Sequence, residues 1–164
     1  MDNKFTFVID DIKLVSTNDA YIPTYKGKRS FLRRSNSLLE FQKTFQEKAL
    51  EFKEQALAFI EKERQAYKNL GIKIFLIFIL PRDVYFYKRK KEDIRPQDTS
   101  NFIKSVEDQI ALLLEVDDKY NLEVSAIKCY EDNRENSSIF VKVSCLDYIE
   151  QTKEKVFNSL KDKY

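Results

Sequence analysis

The sequence predicts an α/β fold, with α+β as the alternative, on the strength of two features. A nearly continuous β-branched and aromatic run, Ile72 to Leu80, has the pattern of a central strand buried on both faces. Two stretches, Ser37 to Leu70 and Thr99 to Val116, place apolar residues at three- and four-residue steps, as amphipathic helices do. The 164 residues suit a single domain spanning 1–164, and 43% apolar against 34% charged residues is the balance of a folded chain. With only two Gly and three Pro, long elements should dominate over tight turns.

Taken in order, Lys4 to Val15 alternates through Phe5, Phe7 and Ile9, and resumes at Ile12 and Leu14 after an Asp-Asp interruption, which predicts a strand with a bulge. Ser16 to Asn36, polar and basic around Pro23 and Gly27, reads as a long extended loop. Ser37 to Leu70 follows as one long helix ending near Gly71, its Phe41, Phe45, Phe52 and Phe59 stripe serving the core. After the strand Ile72 to Leu80, Pro81 ends the run, and Arg82 to Gln97 is an exposed, strongly basic segment. The helix Thr99 to Val116, capped by Asp98 or Thr99, precedes two strands, Leu122 to Tyr130 and Ser138 to Cys145, which the polar turn between them joins as a hairpin. Asp147 to Lys163 closes the chain as a charged helix with Ile149, Val156, Phe157 and Leu160 facing the sheet. The sum is about four strands packed with three helices.

Composition narrows the chemistry. Histidine is absent, which removes imidazole acid–base catalysis, Cys-His dyads and most zinc sites, and leaves carboxylates, lysines and hydroxyls. Cys129 and Cys145 both fall in strands and are expected to be buried free thiols. The most apolar run is about half of the ~20 residues a membrane helix needs, and no leader is read at the start, so the expected location is the cytoplasm, with no membrane partner. The net charge of +2 does not by itself signal nucleic acid. Local clusters do: Lys26, Lys28, Arg29, Arg33 and Arg34, interleaved with Tyr21, Tyr25 and Phe31, and then Lys88, Arg89, Lys90, Lys91 and Arg95. Cations hold phosphates and aromatic faces stack on bases, although a solvated basic loop would read the same way.

On an ideal helix Asn101, Lys104 and Asp108 share one polar stripe, opposite Phe102, Ile103, Val106, Ile110 and Leu113. Carboxylates bracket that helix, with Asp98 before it and Asp117-Asp118 after it. Carboxylates held close together need a cation or a shared proton, and hard oxygen donors suit Mg²⁺, beside which a lysine would stabilise charge developing on a phosphate. From these residues alone the plainer account is the heavier one: Asp117-Asp118 forms a turn, and Lys104 with Asp108 makes a surface pair worth about 0.3 kcal/mol.

The order of the features adds to this. Arg95-Pro-Gln-Asp98-Thr-Ser-Asn101-Phe-Ile-Lys104-Ser-Val-Glu-Asp108, followed by Asp117-Asp118, resembles the signature of the RusA family of Holliday junction resolvases, and Ser16-Thr-Asn18-Asp-Ala-Tyr21 with Lys28 and Arg29 is similar to its N-terminal Asn-containing loop. The resemblance covers about Lys13 to Val143 and implies a single domain with a mixed sheet. It further implies a Mg²⁺-dependent (or Mn²⁺-dependent) endodeoxyribonuclease that acts as a homodimer on four-way junctions and other branched DNA. By that resemblance Asp98, Lys104 and Asp118 are catalytic, Asp98, Asp117 and Asp118 hold the metal, Ser100, Asn101 and Asp108 support the site, and the two basic clusters contact DNA. The departure is Ser100, which stands where the family carries its second catalytic carboxylate. A hydroxyl supplies no full negative charge, and Glu107 lies off the polar stripe, so a noncatalytic junction-binding or regulatory protein is the alternative reading.

Overall fold

The computed structural model describes residues 4–26, 29–86 and 99–148. Its main sheet has four strands, β1 (Lys4–Ile12), β4 (Leu70–Pro81), β5 (Asn121–Glu131) and β6 (Ser137–Asp147), in the order β1-β6-β4-β5. β6 pairs antiparallel with both β1 and β4, whereas β4 and β5 are parallel, so the sheet is mixed and the class is α/β as expected. The parallel pair requires a crossover, and α5 (Ser100–Leu114) lies within it.

One face of the sheet builds the core. Phe5, Phe7, Ile9 and Ile12 of β1, Ile72, Ile74, Leu76, Phe78 and Leu80 of β4, and Ile139, Val141 and Val143 of β6 are all buried there. They meet Leu38, Phe41 and Phe45 of α2 (Asn36–Ala49), Ala56 and Ile60 of α3 (Lys53–Ala66), and Phe102, Val106, Ile110 and Leu114 of α5. Each of these side chains larger than alanine contributes about 1.5–3 kcal/mol relative to exposure. β4 departs from the expectation of burial on both faces, because its alternate residues Phe75, Ile77 and Ile79 are only half-buried.

The bulge in β1 is present: register slips between Ile9 and Ile12, and Asp11 takes a left-handed φ of 53°, its carboxylate accepting from Asn136 Nδ2 at 2.6 Å. Other expectations need correction. The segment Ser16 to Asn36 is not an extended loop: it forms the short helix α1 (Thr17–Ala20) and an antiparallel ribbon of β2 (Tyr21–Lys26) and β3 (Arg29–Arg34). Its alternating aromatic, β-branched and cationic residues satisfy the strand period, which the polar composition obscured.

The helix expected over Ser37 to Leu70 is two helices. A 3-10 turn at Leu50–Phe52 separates α2 from α3, and α3 stops at Ala66. Tightening there seats Phe52 against Phe7 and Phe59 against Phe5, with ring centroids 5.3 and 5.8 Å apart. An unbroken rod would not follow the twisted sheet in this way. Nor do β5 and β6 form a hairpin, since β4, the most apolar strand, sits between them. The link between them passes the end of β4, where Arg82 pairs with Asp132 at 3.1 Å.

Cys129 is exposed rather than buried, and Cys145 is half-buried; both are free thiols. No described helix is long and apolar enough to cross a membrane. The closing helix expected over Asp147 to Lys163 falls outside the described residues beyond Tyr148, and Asp147 itself ends β6.

Candidate active site

The site is organised by how α5 begins and ends. At its start Thr17 Oγ1 donates to Asn101 Oδ1 at 3.3 Å, and Ser105 Oγ, buried one turn later, shares its one proton between the Phe102 carbonyl at 3.0 Å and the Val15 carbonyl at 3.3 Å. These contacts hold the Ser16–Asn18 segment against α5, so the two stretches that carried the sequence resemblance are neighbours. Thr99 stands at the N-cap position without a side-chain capping bond, and Ser100 is the exposed first residue of the helix.

The C-terminus of α5 turns back sharply. Glu115 adopts a left-handed φ of 52°, its N–H donates to the Leu112 carbonyl at 3.3 Å, and the Val116 N–H reaches the Ala111 carbonyl at 3.0 Å, a Schellman arrangement built without glycine. Lys53 of α3 secures this end by donating to the Leu113 carbonyl at 3.2 Å and pairing with Glu115 at 2.7 Å. The reversal brings the 3-10 turn Asp118–Tyr120 alongside the polar stripe of the helix.

Lys104 consequently bridges two carboxylates. Its Nζ lies 2.8 Å from Asp108 Oδ1, one turn along α5, and 2.8 Å from Asp118 Oδ2. The helical pair foreseen between Lys104 and Asp108 is therefore present and has gained a third member from outside the helix. The hydrogen bonds from Asp108 and then Asp118 push the Lys104 pKa well above its ordinary value, so the ammonium is a fixed cation at neutral pH and not a proton acceptor. Asp117 is engaged by its own turn: it accepts from the Lys119 N–H at 3.0 Å and pairs with Lys119 Nζ at 3.2 Å, contacts that lower its pKa. Glu107 points elsewhere, accepting from Asn121 Nδ2 at 2.8 Å.

Asp108, Asp117 and Asp118 line one side of a groove of about 480 Å³ between α2 and α5, and Arg34 and Lys43 line the other. Arg34 ends β3, so the exposed ribbon that carries Arg29, Arg33, Tyr25 and Phe31 runs into this groove. Asp98, Lys28, Lys88, Arg89, Lys90, Lys91 and Arg95 lie outside the described residues, as does the side chain of Lys26. Among the described residues no three carboxylate or cysteine groups are gathered into a cation cage.

Sequence reasoning passed over Gln42, Lys43, Gln46 and Gln109, all of which line the groove. The signal for Gln109 was available: it falls at the helical spacing of Phe102, Val106 and Leu113, where an amide on an apolar stripe asks for a partner.

An α/β domain with a mixed sheet thus presents a lysine between two carboxylates beside a cation-edged groove. The sequence model of endodeoxyribonuclease RusA matches residues 20–144, from the start of the ribbon to β6 and across the whole of α5 and Asp118. The chain belongs to the RusA family. No curated protein matches it.

Proposed function

We propose that this protein is a Mg²⁺-dependent endodeoxyribonuclease that cuts four-way junctions and other branched DNA in recombination, repair or mobile-element replication. In this reading it works in the cytoplasm as a homodimer, each chain a single domain over 1–164, so that two sites address two symmetric strands. The observation that carries the reading is the Lys104–Asp108–Asp118 cluster at the groove edge in a chain of this family.

The donors fit a hard cation in kind. Mg²⁺ takes one or two carboxylates and keeps several waters, so Asp118 with Asp98, and Asp117 at the margin, would hold it while Asp108 keeps Lys104 in place. When bound, the ion supplies Lewis-acid charge at the scissile phosphate. Lys104, cationic throughout the neutral range, offsets the negative charge that grows on the phosphate oxygens as the bond breaks. Arg34 and the ribbon arginines hold flanking phosphates, and Asn101, anchored by Thr17, fixes the first turn of α5.

Ser100 supports the second reading, a binding protein with an eroded centre. Replacing Lys104 by Met tests the first: cleavage of a four-way junction should fall by about 100-fold or more, with junction binding held within a few-fold. Equal cutting by both proteins would reject the assignment of Lys104.

A further inference from the structure

The catalytic groove does not end at the carboxylates. Beside it lies a mostly apolar pocket of about 230 Å³ between α2 and α5, walled by Phe45, Ala49, Leu112 and Leu113 with Lys53 also on its lining, and the two spaces share Gln46, Gln109 and Leu112. Leu112 stands 57% exposed at the mouth, while Phe45 is fully buried behind it. Gln46 Nε2 donates to Gln109 Oε1 at 3.1 Å. Gln109 is only 1% exposed, and among the described residues its Nε2 has no hydrogen-bond partner. A buried amide donor left unpaired costs about 1–3 kcal/mol, and the residue that carries this one lines both the charged groove and the apolar pocket.

We infer that this pocket receives one unstacked base of the DNA strand beside the cut, its edge read by the Gln46–Gln109 amide pair. The inference rests on the nuclease reading above and deepens it. The chemistry of the parts decides the occupant. Arg34 and Lys43 on the groove wall take phosphates, the apolar walls take a flat ring, and a glutamine amide offers the donor and acceptor that base edges match. The pocket is smaller than the roughly 300–1,000 Å³ of a site for a whole drug-sized ligand, as a site for the base alone should be. The sugar and phosphate remain in the groove, continuous with Asp108 and Asp118. Extruding a base costs least where its pairing and stacking are already weakened, and a base beside a branch point meets that condition more readily than one inside an uninterrupted duplex.

The test places the fluorescent analogue 2-aminopurine at each position flanking the crossover of a synthetic four-way junction, with Ca²⁺ replacing Mg²⁺, and reads fluorescence and anisotropy on the same samples. The native protein should brighten one position on binding. Gln109→Leu should cut that rise to about a fifth or less, the loss of one buried hydrogen bond, while its thermal midpoint holds or rises because the orphan amide is gone. A structural role alone would lower the midpoint instead. A junction that binds without any position brightening, or that brightens equally with Gln109→Leu, overturns the inference and leaves the nuclease reading standing. No binding at all overturns both. Self-association abolished by Leu112→Lys, with a bound but dark junction, would give the pocket to a second copy of the chain and equally overturn the base.

Discussion

Lys104 holds its proton more tightly than a free lysine because Asp108 and then Asp118 accept from it. The sign follows from linkage: a raised folded-state pKa adds stability that is fully present below the unfolded value and fades only as pH climbs through the higher folded one. The cation is therefore intact at neutral pH and beyond the point where a free lysine begins to titrate. Ser100, by contrast, brings no carboxylate to the start of α5. Ser100→Asp should raise the Mg²⁺-dependent cleavage rate by about tenfold through a second carboxylate, and it should stabilise the fold by about 0.5 kcal/mol, since an acidic group suits the first turn of a helix. Single-turnover kinetics and urea melts read the two effects, and an unchanged rate in an already vigorous enzyme would show that no carboxylate is needed there. The cysteines give a simpler check. Burial pushes the Cys145 thiol up to about 12, whereas Cys129 is exposed. At pH 8 iodoacetamide should modify Cys129 and spare Cys145, as mass spectrometry of tryptic peptides would show; equal labelling would contradict the packing of β6.

The elements around α5 do the positioning. Glu115 is held in the left-handed region, where glycine is at ease, so Glu115→Gly should relieve about 1 kcal/mol of backbone strain, while the Lys53 pair it forfeits is screened by solvent. The urea midpoint should rise slightly, and a clear fall would mean the ion pair outweighs the backbone. The ribbon makes its own prediction. Replacing Arg29 and Arg33 by Ala should lower the slope of log affinity against log salt by about one unit for each phosphate that is no longer neutralised, and an unchanged slope would place the ribbon off the DNA.

These elements also show what the sequence could reveal. The β4 run, the α5 stripe and the β1 bulge were legible because local periodicity reports them directly. The break at Leu50–Phe52 was not, since it answers to Phe5 and Phe7, which lie far away in the chain. The ribbon was hidden by its polar composition, and the false hairpin arose because adjacency in sequence was taken for adjacency in the sheet. Lys104 and Asp108 were visible as a helical pair. The arrival of Asp118 depends on a glycine-free reversal at Glu115 that no turn residue announces.

At the scale of the whole molecule the four-stranded sheet is a platform: helices α2, α3 and α5 cover one face, and α2 and α5 spread apart just enough to leave the groove between them. The ribbon extends the basic rim at one end, and the carboxylates stand along the other wall. In the proposed reading a surface arranged in this way engages DNA backbone and shape before it engages sequence. In the proposed function the Lys104–Asp118 cluster cuts branched DNA. The direct measurement is Mg²⁺-dependent cleavage of a synthetic four-way junction beside a linear duplex of the same sequence, with Asp118→Asn as the control. Paired cuts near the crossover, absent from the duplex and lost in the variant, are the expected result; a junction that is bound but never cut, or cut equally by Asp118→Asn, would contradict it.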